Sequence, residues 1–242
     1  MQGLLKLFAA AILAGGIAAA GWLGGTKLVE SRLGFRTVTV KGLAERNVKS
    51  DLGFWPIRFV ATGPTLEDAR TKLESSGAIV AKFLTDRGFA PGDSEIQNIQ
   101  VEDRLAGYNG NDSPPDLRFV LTEDILVKSN DVDRLATSAR DIGEILKSGV
   151  VFTSDSYNAG PSYIFTKIND LKGEMLAEAT ARAREAAEKF ATESGAKVGS
   201  IQAANQGVIE INPAVAIPND RPEKQIDKKV RVVTTITYFL KD

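Results

Sequence analysis

The sequence predicts an α+β protein: antiparallel sheets with three helices packed on them, preceded by an N-terminal transmembrane helix. Three observations carry this. Segments of alternating polarity, rich in Val, Ile and Thr, come in pairs, as antiparallel strands do. Three stretches with apolar residues at helical spacing are interspersed among them. Residues 7–26, at the start of the chain, hold no charged side chain.

The first strand is Thr37 to Arg46, where Val38, Val40 and Gly42 alternate with Thr39, Lys41 and Leu43. Gly42 there permits a bulge or a close backbone approach. Gly53 to Thr62 is a second strand. Its Pro56 places it at an edge or marks a bulge, because proline has no N–H for a ladder. Thr65-Leu66-Glu67-Asp68 has the shape of a capping box with Asp for Glu. A helix follows through Leu66, Ala69, Leu73, Val80, Phe83 and Leu84 to a stop at Gly88. Strands over 96–108 and 118–128 flank the turn cluster 109–115 and read as a hairpin.

Asp131 caps a second helix, which runs through Leu135, Ile142 and Ile145 to Gly149. Short extended pieces at 150–154 and 163–166 precede the third and longest helix, about 169–194. Leu171, Met175, Ala179, Ala183, Ala187 and Phe190 form its apolar stripe. Glu178 with Arg182, and Glu185 with Lys189, are i,i+4 pairs in the favourable order. A strand at 198–211, a Pro-containing loop at 212–224 and a Val/Thr-rich strand at 229–240 complete the chain.

Composition excludes several functions. The chain has 242 residues, no Cys and no His. Thiol catalysis, disulfides, thiolate metal sites and a Ser-His-Asp triad are therefore ruled out. Thirty basic against 31 acidic residues leave no basic field for nucleic acid. No motif calls for a cofactor or a metal ion. Residues 107–112 do not follow the EF-hand ligand order. Ser154, Ser156 and Ser162 with Lys167 lack an S-x-x-K or a G-x-S-x-G elbow. No catalytic residue is assigned, and the expectation is a protein that is not an enzyme.

About 20 helical residues reach roughly 30 Å, the thickness of a bilayer's hydrocarbon core. Residues 7–26 thus read as a retained anchor or as a cleaved export signal. Ala18-Ala19-Ala20 offers a cleavage pattern, but apolar character continues through Trp22 and Leu23. Gly21 and Gly25 form a GxxxG pair, through which two helices in lipid can pack closely. The expected organisation is an anchor and stalk over 1–36 and one α+β domain over 37–242. Orientation is not clean, because Lys27, Arg32, Arg36 and Lys41 follow the segment and only Lys6 precedes it.

Several marks coincide along the body. The first strand reads Val38-Thr39-Val40-Lys41-Gly42-Leu43-Ala44-Glu45, and a later loop reads Pro161-Ser162-Tyr163-Ile164-Phe165. The Ala/Arg-rich helix, Ala179 to Ala187, runs into Gly195-Ala196-Lys197-Val198-Gly199, and a Val/Thr strand comes last. In order and spacing this resembles the SIMPL-domain family of bacterial envelope proteins over about residues 37–240. The resemblance implies an α+β fold, an envelope or periplasmic location, and assembly into a large ring- or channel-like homo-oligomer. It also implies a link to envelope stress tolerance, without a catalytic activity. The long uncharged start places the chain with membrane-tethered members, on the inner membrane, single-pass, with the body in the periplasm.

The expected partners are a second copy of the chain and the bilayer through residues 7–26, with no nucleic acid. Candidate contacts between copies are Gly21 and Gly25, Glu45 and Arg46 as an ion-pairing strand end, and Trp55 within an aromatic cluster with Phe54 and Phe59. Strand-end turning and core packing are the plainer readings of Glu45, Arg46 and Trp55. The apolar residues of 208–217 read as a partly buried loop or a surface for lipid or another subunit. The alternative function is a periplasmic small-molecule-binding protein or a carboxylate-based enzyme, which needs a deep pocket with two carboxylates of raised pKa.

Overall fold

The computed structural model describes residues 13–22, 36–106, 117–153, 160–218 and 221–241. They form an α+β fold with two antiparallel sheets. The strands are β1 (Thr37–Lys49), β2 (Leu52–Gly63), β3 (Ser94–Asp103), β4 (Phe119–Ser129), β5 (Val151–Phe152), β6 (Ser162–Ile164), β7 (Lys197–Pro213) and β8 (Asp227–Lys241). The helices are α1 (Leu66–Asp86), α2 (Val132–Arg140), α3 (Gly143–Lys147) and α4 (Ile168–Glu193). One sheet has the order β1-β8-β7, the other β3-β4-β2-β5 with β6 also on β2. The body divides into two compact units, one of 1–44, 174–208 and 232–242, the other of 45–173 and 209–231.

In the first unit, α4 lies on β1 and β8. Its buried stripe is Met175, Ala179, Ala183, Ala187 and Ala191. It meets Val40, Ile236 and Tyr238. The approach is closest at Gly42, where a Cβ would fall on the Ala179 carbonyl oxygen and 2.7 Å from the Ala183 nitrogen. Arg36 O accepts from Leu240 N at 2.7 Å, and the Thr39 and Thr237 hydroxyls bond at 2.9 Å. Residue number thus rises along β1 as it falls along β8, the antiparallel sense. The expected stripe is corrected at Phe190, which is 63% exposed. Steps of four residues through alanine define the buried face, and Phe190 lies about 100° around the helix from Ala191.

In the second unit, α1 covers the longer sheet. Thr65 Oγ1 accepts from Asp68 N at 3.2 Å, so the expected cap forms. Gly88 follows the helix with φ of 81°, the left-handed geometry that favours glycine. Trp55, Ile57, Phe59, Leu73, Val80 and Leu121 are among the buried core.

Two expectations need correction here. The predicted second helix is two helices, α2 and α3, separated at Asp141–Ile142. Gly143, a poor helix former, starts the second piece, and beside the break the Arg87 guanidinium donates to Asp141 through Nη1 and to Glu144 through Nη2. Among the described residues of the body, four helices therefore stand where three were expected. Pro56 also does not place β2 at an edge. β2 lies inside the sheet, paired along its length with β4. On the other side β6 pairs with 52–54 and β5 with 59–60. The Arg58 carbonyl accepts from Thr153 N on that second side. Strand alternation turns Pro56 the same way, into the gap between β6 and β5, where no N–H is needed.

Gly42→Ala is expected to cost about 3 kcal/mol, or to abolish folding, because neither the strand nor the α4 backbone can retreat from the new methyl. Gly173→Ala, on an exposed turn of α4 with nothing within 4 Å of the new Cβ, should instead gain about 0.5–1 kcal/mol. Urea unfolding of the two variants checks both signs.

Candidate functional site

Two strand edges and two clefts are the features of the body with functional potential. β7 is one outer strand of its sheet, with β1 at the other edge, and almost all of β7 is exposed. Residues 198–209 carry no charge, and Ile201 and Val208 are 51% and 80% exposed. β3 is the outer strand of the other sheet, with Ile96, Ile99 and Val101 each at least half exposed. Folded proteins usually guard such edges with charge, proline or a covering loop. β3 has a register irregularity between Ile96 and Asn98 and charged ends, whereas the middle of β7 is unguarded.

The expected contact residues separate. Gly21 lies on the helical stretch 13–22, exposed, with nothing within 4 Å of the position of a Cβ. Gly25 lies outside the described residues, as do the rest of 7–12 and 23–26. No helix among the described residues is long and apolar enough to cross a membrane. Glu45 pairs with Arg231 of β8 at 3.6 Å, an exposed pair of small energetic weight. Arg46 also lies on β1, one residue beyond. Trp55 is 2% exposed within the second unit's core, so its ring is engaged in packing within the chain. The candidate calcium loop 107–112 and the serines at 154 and 156 lie outside the described residues.

The larger cleft, about 800 Å³, lies in the second unit against α2, β6 and the loop after β7. Val215 and Ile217, from the apolar loop expected to be partly buried or to face lipid or another subunit, line it, and both are more than half exposed. Lys224 and Arg140 bring cationic groups to it. Lys224 Nζ donates to the Gly160 carbonyl at 2.9 Å. Burial, aided by Arg221, lowers the pKa of that ammonium. Tyr163 forms part of the wall, and burial pushes its phenol up.

The second cleft, about 540 Å³, lies between α1 and the β3–β4 pair. Glu123 reaches it from β4 and is 7% exposed. Burial alone raises its pKa. Among the described residues no hydrogen bond or ion pair meets its carboxyl. Sequence reasoning missed this residue, yet the signal is present. In β4 the inward register runs Leu121, Glu123, Ile125, Val127, a carboxyl on an apolar face. Among the described residues no three acidic side chains gather as a metal ion requires.

The pH dependence follows from the direction of the Glu123 shift. Between the ordinary glutamate value and the raised folded value, the folded chain keeps a proton that the unfolded chain has lost. Stability therefore falls as pH rises through that window and stays reduced above it. Glu123→Leu should remove this fall and raise stability at pH 8 by up to about 1 kcal/mol, because solvent in the cleft screens part of the burial cost. At pH 4 the gain should be smaller. Thermal melts of both proteins across that range check it.

Comparison with known proteins gives one family. The profile of SIMPL, described as "Protein of unknown function (DUF541)", matches residues 38–238. No curated protein matches. Among solved structures, an uncharacterized conserved protein from Listeria innocua is 12% identical, over 78% of this chain and 90% of that one, at a TM-score of 0.18. A hydrolase from Listeria innocua is 10% identical, over 81% and 91%, at the same TM-score. Superpositions that loose carry no argument about fold or activity. The family match covers most of the chain, from the start of β1 to near the end of β8: this protein belongs to the SIMPL family.

Proposed function

We propose that this SIMPL protein is a membrane-tethered envelope component that works by self-association and not by catalysis. The tether is the uncharged segment 7–26, and the body occupies the periplasmic side of a bacterial inner membrane. Its partners are the bilayer and further copies of itself, with no nucleic acid. The assembly is a large homo-oligomer, ring- or channel-like, with a protective role under envelope stress.

The observation that carries this reading is the edge of β7. An outer strand whose residues 198–209 lack any charge offers unpaired backbone groups beside apolar side chains. A second copy satisfies both needs at once. Tethering adds to this, because chains held in one plane meet at high effective concentration. The lack of His and Cys and the absence of a motif for a cofactor favour association over chemistry. A second reading, a small-molecule-binding protein, draws on the buried carboxyl of Glu123. A carboxylate-based enzyme would need a second buried carboxyl in the same cleft, whereas Glu123 alone is buried there.

Light scattering of the full-length chain in mild detergent should give a mass of many copies. Replacing Ile201 and Val208 together by Lys puts like charges across the shared edge. That should weaken assembly on the order of a hundredfold or more, with the far-UV circular dichroism unchanged. A wild-type protein that runs as a sharp monomer ends the proposal.

A further inference from the structure

The cleft between α1 and the β3–β4 pair has an uncommon floor. Glu123 is more than nine-tenths buried, and no donor among the described residues reaches it. Buried carboxyls in folded proteins are ordinarily paired or hydrogen-bonded, because an unmet one costs desolvation with no return. Here the carboxyl is aimed into open space. The cleft around it has the volume of a small-molecule site. Its walls are Leu84, Phe89, Ile96 and Ile125, and its remaining charged lining is Glu74 and Glu95. Arg70 already donates to Glu74, and no Lys or Arg lines the cleft.

α1 leaves the space above the carboxyl empty. Gly77 faces it from the interior of the helix, where glycine is a poor choice. A Cβ at Gly77 would meet Glu123 Oε1 at 3.7 Å and Phe59 Cζ at 3.8 Å, ordinary contact distances. Packing therefore does not demand this glycine. What it provides is room over Glu123.

We infer that this cleft binds a small organic cation, an ammonium group on an apolar body, with Glu123 as its counter-charge. The apolar body packs on Leu84, Phe89, Ile96 and Ile125 while the ammonium donates to the Glu123 carboxylate. Glu95 adds a negative potential that admits cations and turns carboxylates away, while Glu74 is already paired with Arg70. A metal ion does not fit as well, because among the described residues no three acidic side chains converge. A neutral ligand would leave the carboxyl unmet.

Isothermal titration of the full-length chain in a nonionic detergent tests this with three probes of one shape: phenethylamine, phenethyl alcohol and phenylacetate. Phenethylamine should bind at least tenfold tighter than the alcohol, and phenylacetate should not bind. Glu123→Gln should lose tenfold or more of the amine affinity and the preference over the alcohol. Gly77→Leu keeps the carboxyl and fills the space above it, so it should abolish binding of the amine even if the Gln variant fails to fold. Ala136→Leu, in the other cleft, should leave binding unchanged. Equal affinity for all three probes, amine binding that survives Gly77→Leu, or no binding at all would overturn the inference.

Discussion

The contact between Gly42 and the backbone of α4 sets the geometry of the first unit. A helix normally rests on a sheet with side chains between the two backbones. At this point the strand has no side chain, and the helix offers alanines at 179 and 183. The two backbones come close enough that one methyl group has no place to go. Around this contact the stripe is alanine at 179, 183 and 187, since a larger residue there would lift the helix off the strand. Val40, Ile236 and Tyr238 fill what remains around this contact. Alanine is also the strongest helix former, so the packing requirement and the local preference agree.

The same economy decides where charge sits. The outer face of α4 carries ion pairs such as Glu178–Arg182 at 2.8 Å and Lys189–Glu185 at 2.8 Å, both solvent-exposed. Each is worth a few tenths of a kcal/mol at most, and their larger effect is to keep that face wet. β7 lies in a sheet of the same fold and has no comparable protection along 198–209. A chain that charges one exposed surface so thoroughly and leaves another bare presents two different surfaces, one for water and one for a strand. The proposed self-association through the bare edge would account for that contrast without asking any single interaction to be strong.

Most of the fold was legible because its signals are local. Thr65 and Asp68 announced the start of α1, Gly88 its end, and the Val/Thr alternation of 229–240 its strand. The reading failed where tertiary contacts overrode local pattern. The apolar periodicity of 131–145 hides the break at Asp141–Ile142, which stands beside Gly143 and under the Arg87 guanidinium that follows α1. Pro56 looked like an edge residue because the sequence does not show that β5 and β6 leave a gap beside it. Phe190 fell outside the buried stripe because it points about 100° away from the row that runs through Ala187 and Ala191. Of the site, the uncharged run of β7 was visible in the chain, but its place at the outside of a sheet was not. Glu123 was visible as well, at an apolar register, and went unread because acidic residues in strands are usually taken as solvated.

Glu123 and Gly77 make sense only as a pair. The carboxyl by itself lowers stability, and the glycine by itself lowers helix propensity. Simple substitutions relieve both, since leucine fits the first position's apolar register and a methyl fits the second without a clash. The two costs fall at points that face each other across a few ångströms, on elements far apart in the chain. Folding alone does not call for such a coincidence. A ligand that needs both the charge and the space does, and that is the physical reason to look for one in this cleft.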